Sequence, residues 1–454
     1  MVDPGDRAAQ TRALFSVPSE RLRAPRASVR ELDLRGRGDG TSRGITRPGD
    51  AAAGRDVSRR SALVLTPRFP WPLDDGGRIA AWQCVRAAAS EYETTLVSLV
   101  PPGEDRAPIP REFQERGIHV VRVAHRPPAV FSAALDGLIG RWPYTITRYQ
   151  NPELSRKLRA LTAEVRPSFA LVNNLHLAPY VDDLNGVPMI LREQNLEHLW
   201  MDRYARRLGW TPAGLYARIQ AKRLRAAESA LCQRAALVLA IQEEEAAQLR
   251  KLAPGVRVEV LPVGVDLSRF VDPRPVEPPI VLLAGSFAWR PNVDGAIQFL
   301  RKGWHRVLAR IPAARLRIVG KDLPRSLVTA ANKVGADPVG YVETMSEEFA
   351  RASAFVVPVW VGAGVRVKIT EAMAARVPVV ATRLAAEGLG LNPGDHYAAS
   401  DTAEGLGEQV VALLLAPASR AEMAKRGRAL AEERWSLESA ARIQNGLCAT
   451  IASG

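Results

Sequence analysis

Ser61-Ala62-Leu63-Val64-Leu65 is a short apolar run, punctuated afterwards by Pro67, Pro70 and Pro72, and residues 79–89 follow it with helical spacing. A strand that is apolar at successive positions is covered on both faces, as in a parallel sheet flanked by helices. The same alternation of apolar run and helix returns at 94–99, 118–123, 170–173, 188–192 and 237–241. It predicts a first α/β domain over 59–265. Near residue 262 the character changes, and the proline-rich Asp272-Pro273-Arg274-Pro275-Val276-Glu277-Pro278-Pro279 reads as part of a linker over 266–279. A second unit over 280–454 has expected strands at 280–284, 314–319, 339–342, 354–358 and 377–381. The expected fold class is α/β: two Rossmann-like αβα domains facing each other across a cleft, with the last helix packing back on the N-terminal domain.

A chain of 454 residues is long enough for two such domains, and 47% hydrophobic with 24% charged residues is ordinary for a globular protein. No apolar run approaches the roughly 18 to 20 residues of a membrane span, and Ala13-Leu14-Phe15 is too short for a signal-peptide core. A cytoplasmic location is expected. Cys84, Cys232 and Cys448 are too scattered for a disulfide framework or a metal knuckle and read as buried inert thiols. The formal charge of +14 would attract nucleic acid, anionic lipid or a diphosphate alike. With no zinc finger, RNA-recognition signature or helix-turn-helix in view, nucleic acid is the least supported of these partners. Residues 1–58 have no apolar periodicity and read as a disordered basic arm. A chain beginning near Val57 is therefore expected to keep its turnover on a soluble acceptor, which initial rates would check.

In open α/β sheets, ligands bind beyond the carboxyl ends of strands, where helix N-termini favour anions. Two loops have that form. In Pro70-Trp71-Pro72-Leu73-Asp74-Asp75-Gly76-Gly77-Arg78 the paired Gly76 and Gly77 would let the backbone approach a phosphate, although such a pair is often only a tight turn. Asp74 and Asp75, without further ligands at suitable spacing, read as loop or cap residues, so no metal is expected. The second loop, Val361-Gly362-Ala363-Gly364-Val365-Arg366-Val367-Lys368-Ile369-Thr370-Glu371, runs from glycines into two cations and a carboxylate. Arg366 can fork across phosphate oxygens, Lys368 adds a point charge, and Glu371 can accept from ribose hydroxyls. The rival reading is a solvated helix face.

Leu283-Ala284-Gly285-Ser286-Phe287-Ala288-Trp289-Arg290-Pro291-Asn292, the 362–374 segment, Pro378-Val379-Val380-Ala381-Thr382 and Glu387-Gly388-Leu389 together resemble the donor half of retaining glycosyltransferases of family four. The N-terminal half is similar through Gly76-Gly77, Leu175-His176-Leu177-Ala178-Pro179-Tyr180 and Arg192-Glu193-Gln194-Asn195-Leu196-Glu197-His198-Leu199-Trp200, the last resembling an Arg-x-His-Asn-Val-Glu-x-x-x-Trp pattern of polysaccharide-building members. The resemblance runs from about residue 61 to the end. It implies the B-type glycosyltransferase fold and metal-independent hexosyl transfer, with retention, from a nucleotide-diphosphate sugar as co-substrate and no further cofactor. By position, Arg366 and Lys368 would hold the diphosphate and Glu371 the ribose. Gly76 and Gly77 would close on the phosphates, with Ser286, Trp289, Asn292 and Gly364 completing the donor site. His176 and the Glu193-Gln194-Asn195 turn would face the transferred sugar. Two departures stand out: Ala363 occupies the place of a frequent Glu, and Gln194 that of the usual His.

The implied acceptor is a glycan, a lipid-linked glycan or a small molecule. The stretch 203–225, basic with Trp210, Leu215, Tyr216, Ile219 and Leu224 interleaved, would suit peripheral contact with an anionic membrane or a solvated helix face equally. Rival functions are a nucleotide-sugar epimerase and a basic interaction protein whose sugar site has decayed. The retained Arg366, Lys368 and Glu371 favour transfer.

Overall fold

The computed structural model describes residues 59–73, 76–361 and 367–453. The arm expected over 1–58, Asp74-Asp75, and the stretch 362–366 with Gly364 and Arg366 lie outside them.

The apolar runs of the first half form a seven-stranded sheet of β1 (Ser61–Thr66), β2 (Glu93–Val100), β3 (His119–Ala124), β4 (Phe169–Asn173), β5 (Met189–Arg192), β6 (Leu237–Ala240) and β7 (Val258–Val260). Their order is β3-β2-β1-β4-β5-β6-β7, and every pairing is parallel. Alternate residues serve opposite faces. Leu63 and Leu65 join Val97, Ala170 and Leu191 in one core, while Ala62 and Val64 join Leu96, Phe169 and Ile190 in the other. Both faces are dry, so the strands are apolar at successive positions.

The second sheet contains β8 (Ile280–Ala284), β9 (Arg315–Val319), β10 (Asp337–Gly340), β11 (Ala354–Val357), β12 (Val379–Ala381) and β13 (Tyr397–Ala399), in the parallel order β10-β9-β8-β11-β12-β13. Strand β10 begins two residues before its expected place. Strands β7 and β13 go unforeseen: each is a three-residue edge strand with too little apolar text to register.

Between the sheets the chain crosses twice, and the crossings touch. Val265 N–H donates to Trp435 O, and Leu437 N–H returns to Val265 O at 3.2 Å. Helix Leu437–Ala452 then lies against helix Gly76–Glu91 of the first half. Gln444 Nε2 donates to Cys84 O (2.9 Å) and Asn445 Nδ2 to Ala87 O (2.9 Å). The small residues Ala80, Ala87 and Ala88 of helix Gly76–Glu91 lie beside Ala440 at this contact. Among the described residues no helix is long and apolar enough to cross a membrane.

Candidate functional site

In each sheet the direction of winding reverses between the first and fourth strands of the half, β1 and β4 in one and β8 and β11 in the other. Loops leaving such neighbours diverge and open a crevice at their carboxyl ends. Among the described residues, Gly76, Gly77 and His176 follow β1 and β4, and Ser286, Trp289 and Asn292 follow β8, while the Glu193-Gln194-Asn195 turn follows β5.

After β1, helix Gly76–Glu91 begins at the glycine pair, and a Cβ built on Gly76 would meet nothing within 4 Å. After β4, Asn174 takes φ +87°, and its Oδ1 accepts the His176 backbone N–H at 3.1 Å. The His176 ring packs on Tyr149 with centroids 4.6 Å apart, and its Nδ1 is buried without a hydrogen-bond partner among the described residues. Burial, reinforced by Arg68 and Arg148, lowers its pKa to about 4. His176 is therefore a neutral imidazole at pH 7, able to donate one hydrogen bond and accept another. Beside it His125 Nε2 donates to Arg148 O at 2.7 Å. Sequence reasoning missed Arg68, His125, Arg148 and Tyr149, because no local pattern marks them; the fold brings them together.

After β5 the three turn residues diverge. Gln194 Nε2 lies 3.4 Å from Asn173 Oδ1 and 3.5 Å from Gly77 O, long contacts that tie β4 and β5 to the glycine pair. Asn195 is exposed. Glu193 is 1% exposed, with neither carboxyl oxygen hydrogen-bonded among the described residues. Burial and then the neighbouring Glu228 and Glu197 raise its pKa well above the usual carboxylate range. Glu228 Oε1 accepts the Glu197 N–H at 2.8 Å, and its Oε2 meets His198 Nδ1. The pKa of Glu197 is raised to about 7 by burial and Glu228, and that of Glu245 to about 7, chiefly by burial. Burial thus brings the titration of Glu197 and Glu245 into the neutral range.

A carboxyl whose folded pKa lies above its unfolded one stabilises the fold fully below the unfolded value and loses that contribution as pH rises through the folded value. For Glu197 and Glu245 the window runs from 4.5 to about 7. Glu197→Gln and Glu245→Gln are expected to raise stability at about pH 8, each by on the order of 1–3 kcal/mol, and to change it little near pH 4.5. Urea denaturation at the two pH values checks this. His176 titrates with the opposite sign: its contribution is present above 6.5 and lost as pH falls toward 4.

In the second half, Ser286 is exposed after β8, and its carbonyl accepts from Asn292 Nδ2 at 2.8 Å. Trp289 is half-buried against the apolar core below it and opens helix Arg290–Phe299. Gly295 of that helix packs directly on the end of β11: a Cβ there would lie 1.7 Å from Pro358 O. Lys368 and Glu371 sit on helix Val367–Ala374, and Lys368 Nζ pairs with Glu371 Oε2 at 3.1 Å. The cation expected at the diphosphate and the carboxylate expected at the ribose are therefore ion-paired neighbours one helical turn apart. At the same edge, unforeseen, Tyr341 is 63% exposed with Lys321 Nζ 5.2 Å from its ring centroid.

The halves meet where Gly388 (φ +80°) faces Gln242, and a Cβ on that glycine would come within 2.3 Å of Gln242 Oε1. Among the described residues no group of three or more His, Cys, Asp and Glu is placed to hold a metal ion.

Residues 278–416 match the family model described as glycosyl transferases group 1. No curated protein sequence matches the chain significantly. Among solved structures the chain is similar to a sucrose-phosphate synthase from Thermosynechococcus elongatus, with TM-score 0.64 and 18% identity over 87% of this chain and 100% of that one. It is similar to Anabaena HepE in complex with UDP-glucose, with TM-score 0.57 and 13% identity over 86% and 100%. It is also similar to WaaG, a glycosyltransferase involved in lipopolysaccharide biosynthesis, with TM-score 0.56 and 17% identity over 85% and 100%. The fold is the two-domain, Rossmann-like B-type glycosyltransferase fold.

Proposed function

We propose that this chain transfers a hexosyl group, with retention, from a nucleotide-diphosphate sugar to a glycan, lipid-linked or small-molecule acceptor. The observation that carries the reading is the match of residues 278–416 to group 1 glycosyl transferases, a stretch that includes both the loop after β8 and the Lys368–Glu371 pair. The UDP-glucose held by the similar HepE makes uridine nucleotides the first donors to try.

In this reading Arg366 and Lys368 neutralise the charge that builds on the leaving diphosphate, with Gly76 and Gly77 adding backbone N–H groups from the opposite half. Glu371 exchanges its contact with Lys368 for ribose hydroxyls, and Gln194 and His176 hydrogen-bond the sugar. Because His176 is neutral, it orients and does not act as an electrostatic partner. Calorimetry against a panel of nucleotide sugars tests the reading, and absence of binding by all of them would overturn it.

With the two cations doing the work of a divalent ion at the leaving group, transfer is expected to persist in excess EDTA. Initial rates with and without EDTA check this, and loss of activity that Mg or Mn restores would refute metal independence.

A further inference from the structure

Helix Val130–Ile139 is folded inside out. Its inward positions are small, Ala133 fully buried and Gly137 so tight that a Cβ would lie 2.7 Å from Tyr144 N. Its large side chains point to solvent: Phe131 is 83% exposed, Ile139 77%, Leu135 48% and Leu138 36%. The helix is held this way by helix Pro212–Arg234 alongside. Tyr216 Oη donates to Ala134 O (3.2 Å), Gln220 Nε2 to Gly137 O (2.9 Å) and Arg223 Nη1 to Leu138 O (3.0 Å). Rolling the apolar side inward would break all three bonds. The neighbouring helix adds two exposed apolar side chains, Leu215 at 53% and Ile219 at 41%. Trp210, 86% exposed, stands just before that helix with the Arg218 guanidinium 4.0 Å from its ring centroid.

The surroundings are cationic. Helix Pro212–Arg234 carries Arg218, Lys222, Arg223, Arg225 and Arg234 against one acid, the buried Glu228. Where helix Val130–Ile139 ends, a groove of about 760 Å³ opens, lined by Gly140, Arg141, Trp142, Asn151, Arg156 and Arg159. Acids temper it only in part: Asp136 stands on its wall, Arg141 lies 3.9 Å from Asp182, and Arg159 pairs with Asp183 at 2.5 Å. Arg156 is exposed and has no ion-pair partner among the described residues.

We propose that this face lies on an anionic phospholipid bilayer, with Phe131, Leu135, Leu138, Ile139, Leu215 and Ile219 entering the acyl boundary and the arginine groove taking lipid phosphates. An exposed apolar patch edged by arginines is the pattern of an interfacial helix, in which apolar insertion and headgroup attraction act together. The stretch 203–225, which from sequence suited a membrane surface or a solvated helix face equally, contributes only part of the surface: its Leu224 is fully buried, and of the large apolar side chains named here the most exposed apart from Trp210 are Phe131 and Ile139 on helix Val130–Ile139. The proposal stands independently of the donor site.

Flotation of the full chain with phosphatidylcholine vesicles, with and without phosphatidylglycerol, tests it. Binding is expected only with the anionic lipid, and a fraction should survive about 0.5 M salt, where exposed charges are screened. Phe131→Gln with Ile139→Gln is expected to weaken binding by about tenfold or more and remove the salt-resistant fraction. Arg141→Gln with Arg156→Gln should lower the salt-sensitive fraction. All four positions are exposed, and circular dichroism verifies the fold of both variants. Absent vesicle binding, binding indifferent to anionic lipid, or binding unchanged by both variant pairs overturns the proposal. So does a concentration-dependent dimer that the Phe131/Ile139 variant dissolves, which would make a second copy the occupant.

Discussion

Replacing Arg366 or Lys368 with alanine is expected to weaken nucleoside-diphosphate binding by about 1.5–3 kcal/mol, the worth of a hydrogen bond to a charged group, and to slow transfer by about 10²–10³, as when a preorganised donor to a developing oxyanion is removed. The two effects separate because the positive charge matters more once the glycosidic bond has begun to break. Lys368→Ala also leaves Glu371 without its 3.1 Å partner, so Glu371→Gln is the companion variant. It should lower affinity through the ribose while sparing the diphosphate. Calorimetry and initial rates on chains of unchanged melting temperature check both. Unaltered affinity in a folded Lys368→Ala protein would remove Lys368 from the donor site.

A second large effect is expected from Gly295→Val. A Cβ at this position would sit 1.7 Å from Pro358 O and 3.0 Å from Pro358 C, backbone atoms that cannot swing aside. Helix Arg290–Phe299 must then lift from the end of β11, at an expected cost of about 3 kcal/mol or more. Residues 358–361 lead into the glycine loop, so donor affinity should fall with stability. Gly446 provides the contrast. A Cβ there would meet nothing within 4 Å, in the middle of helix Leu437–Ala452, and Gly446→Ala should be neutral or gain roughly 0.5–1 kcal/mol. Chemical denaturation of the two variants measures the difference.

The central strands were legible because double burial writes them as unbroken apolar text, as in Ala62-Leu63-Val64-Leu65 or Ile280-Val281-Leu282-Leu283. Edge strands were less so. Strand β10 uses Asp337, Pro338 and Gly340, poor strand formers whose conformation is set by pairing with β9. In the second half, a glycine loop entering a helix is a local pattern and drew attention to Lys368 and Glu371, with a solvated helix face as the rival reading; that they pair with each other is also local. The environment of Glu193 is not. Its neighbours Glu197, Glu228 and Glu245 come from three different helices, and nothing in Arg192-Glu193-Gln194-Asn195 announces that its second residue is buried. Arg68 and Arg148 were lost among 62 lysines and arginines, since what distinguishes them is position beside His176.

Helix Leu437–Ala452 has a consequence for how the chain is made. Its Ala440 and Cys448 belong to the same apolar core as Val64, Trp82 and Phe169, yet Gln444 and its partner Cys84 are 360 residues apart in sequence. During synthesis, which runs from the N-terminus, the first half emerges with one side of helix Gly76–Glu91 uncovered and must keep it so until the second half has followed. Contacts of such long range form late and slowly, and a nascent chain with an open apolar flank is one that chaperones hold and that self-associates when they do not. Arrival of helix Leu437–Ala452, more than the completion of either sheet, is the event that covers this flank.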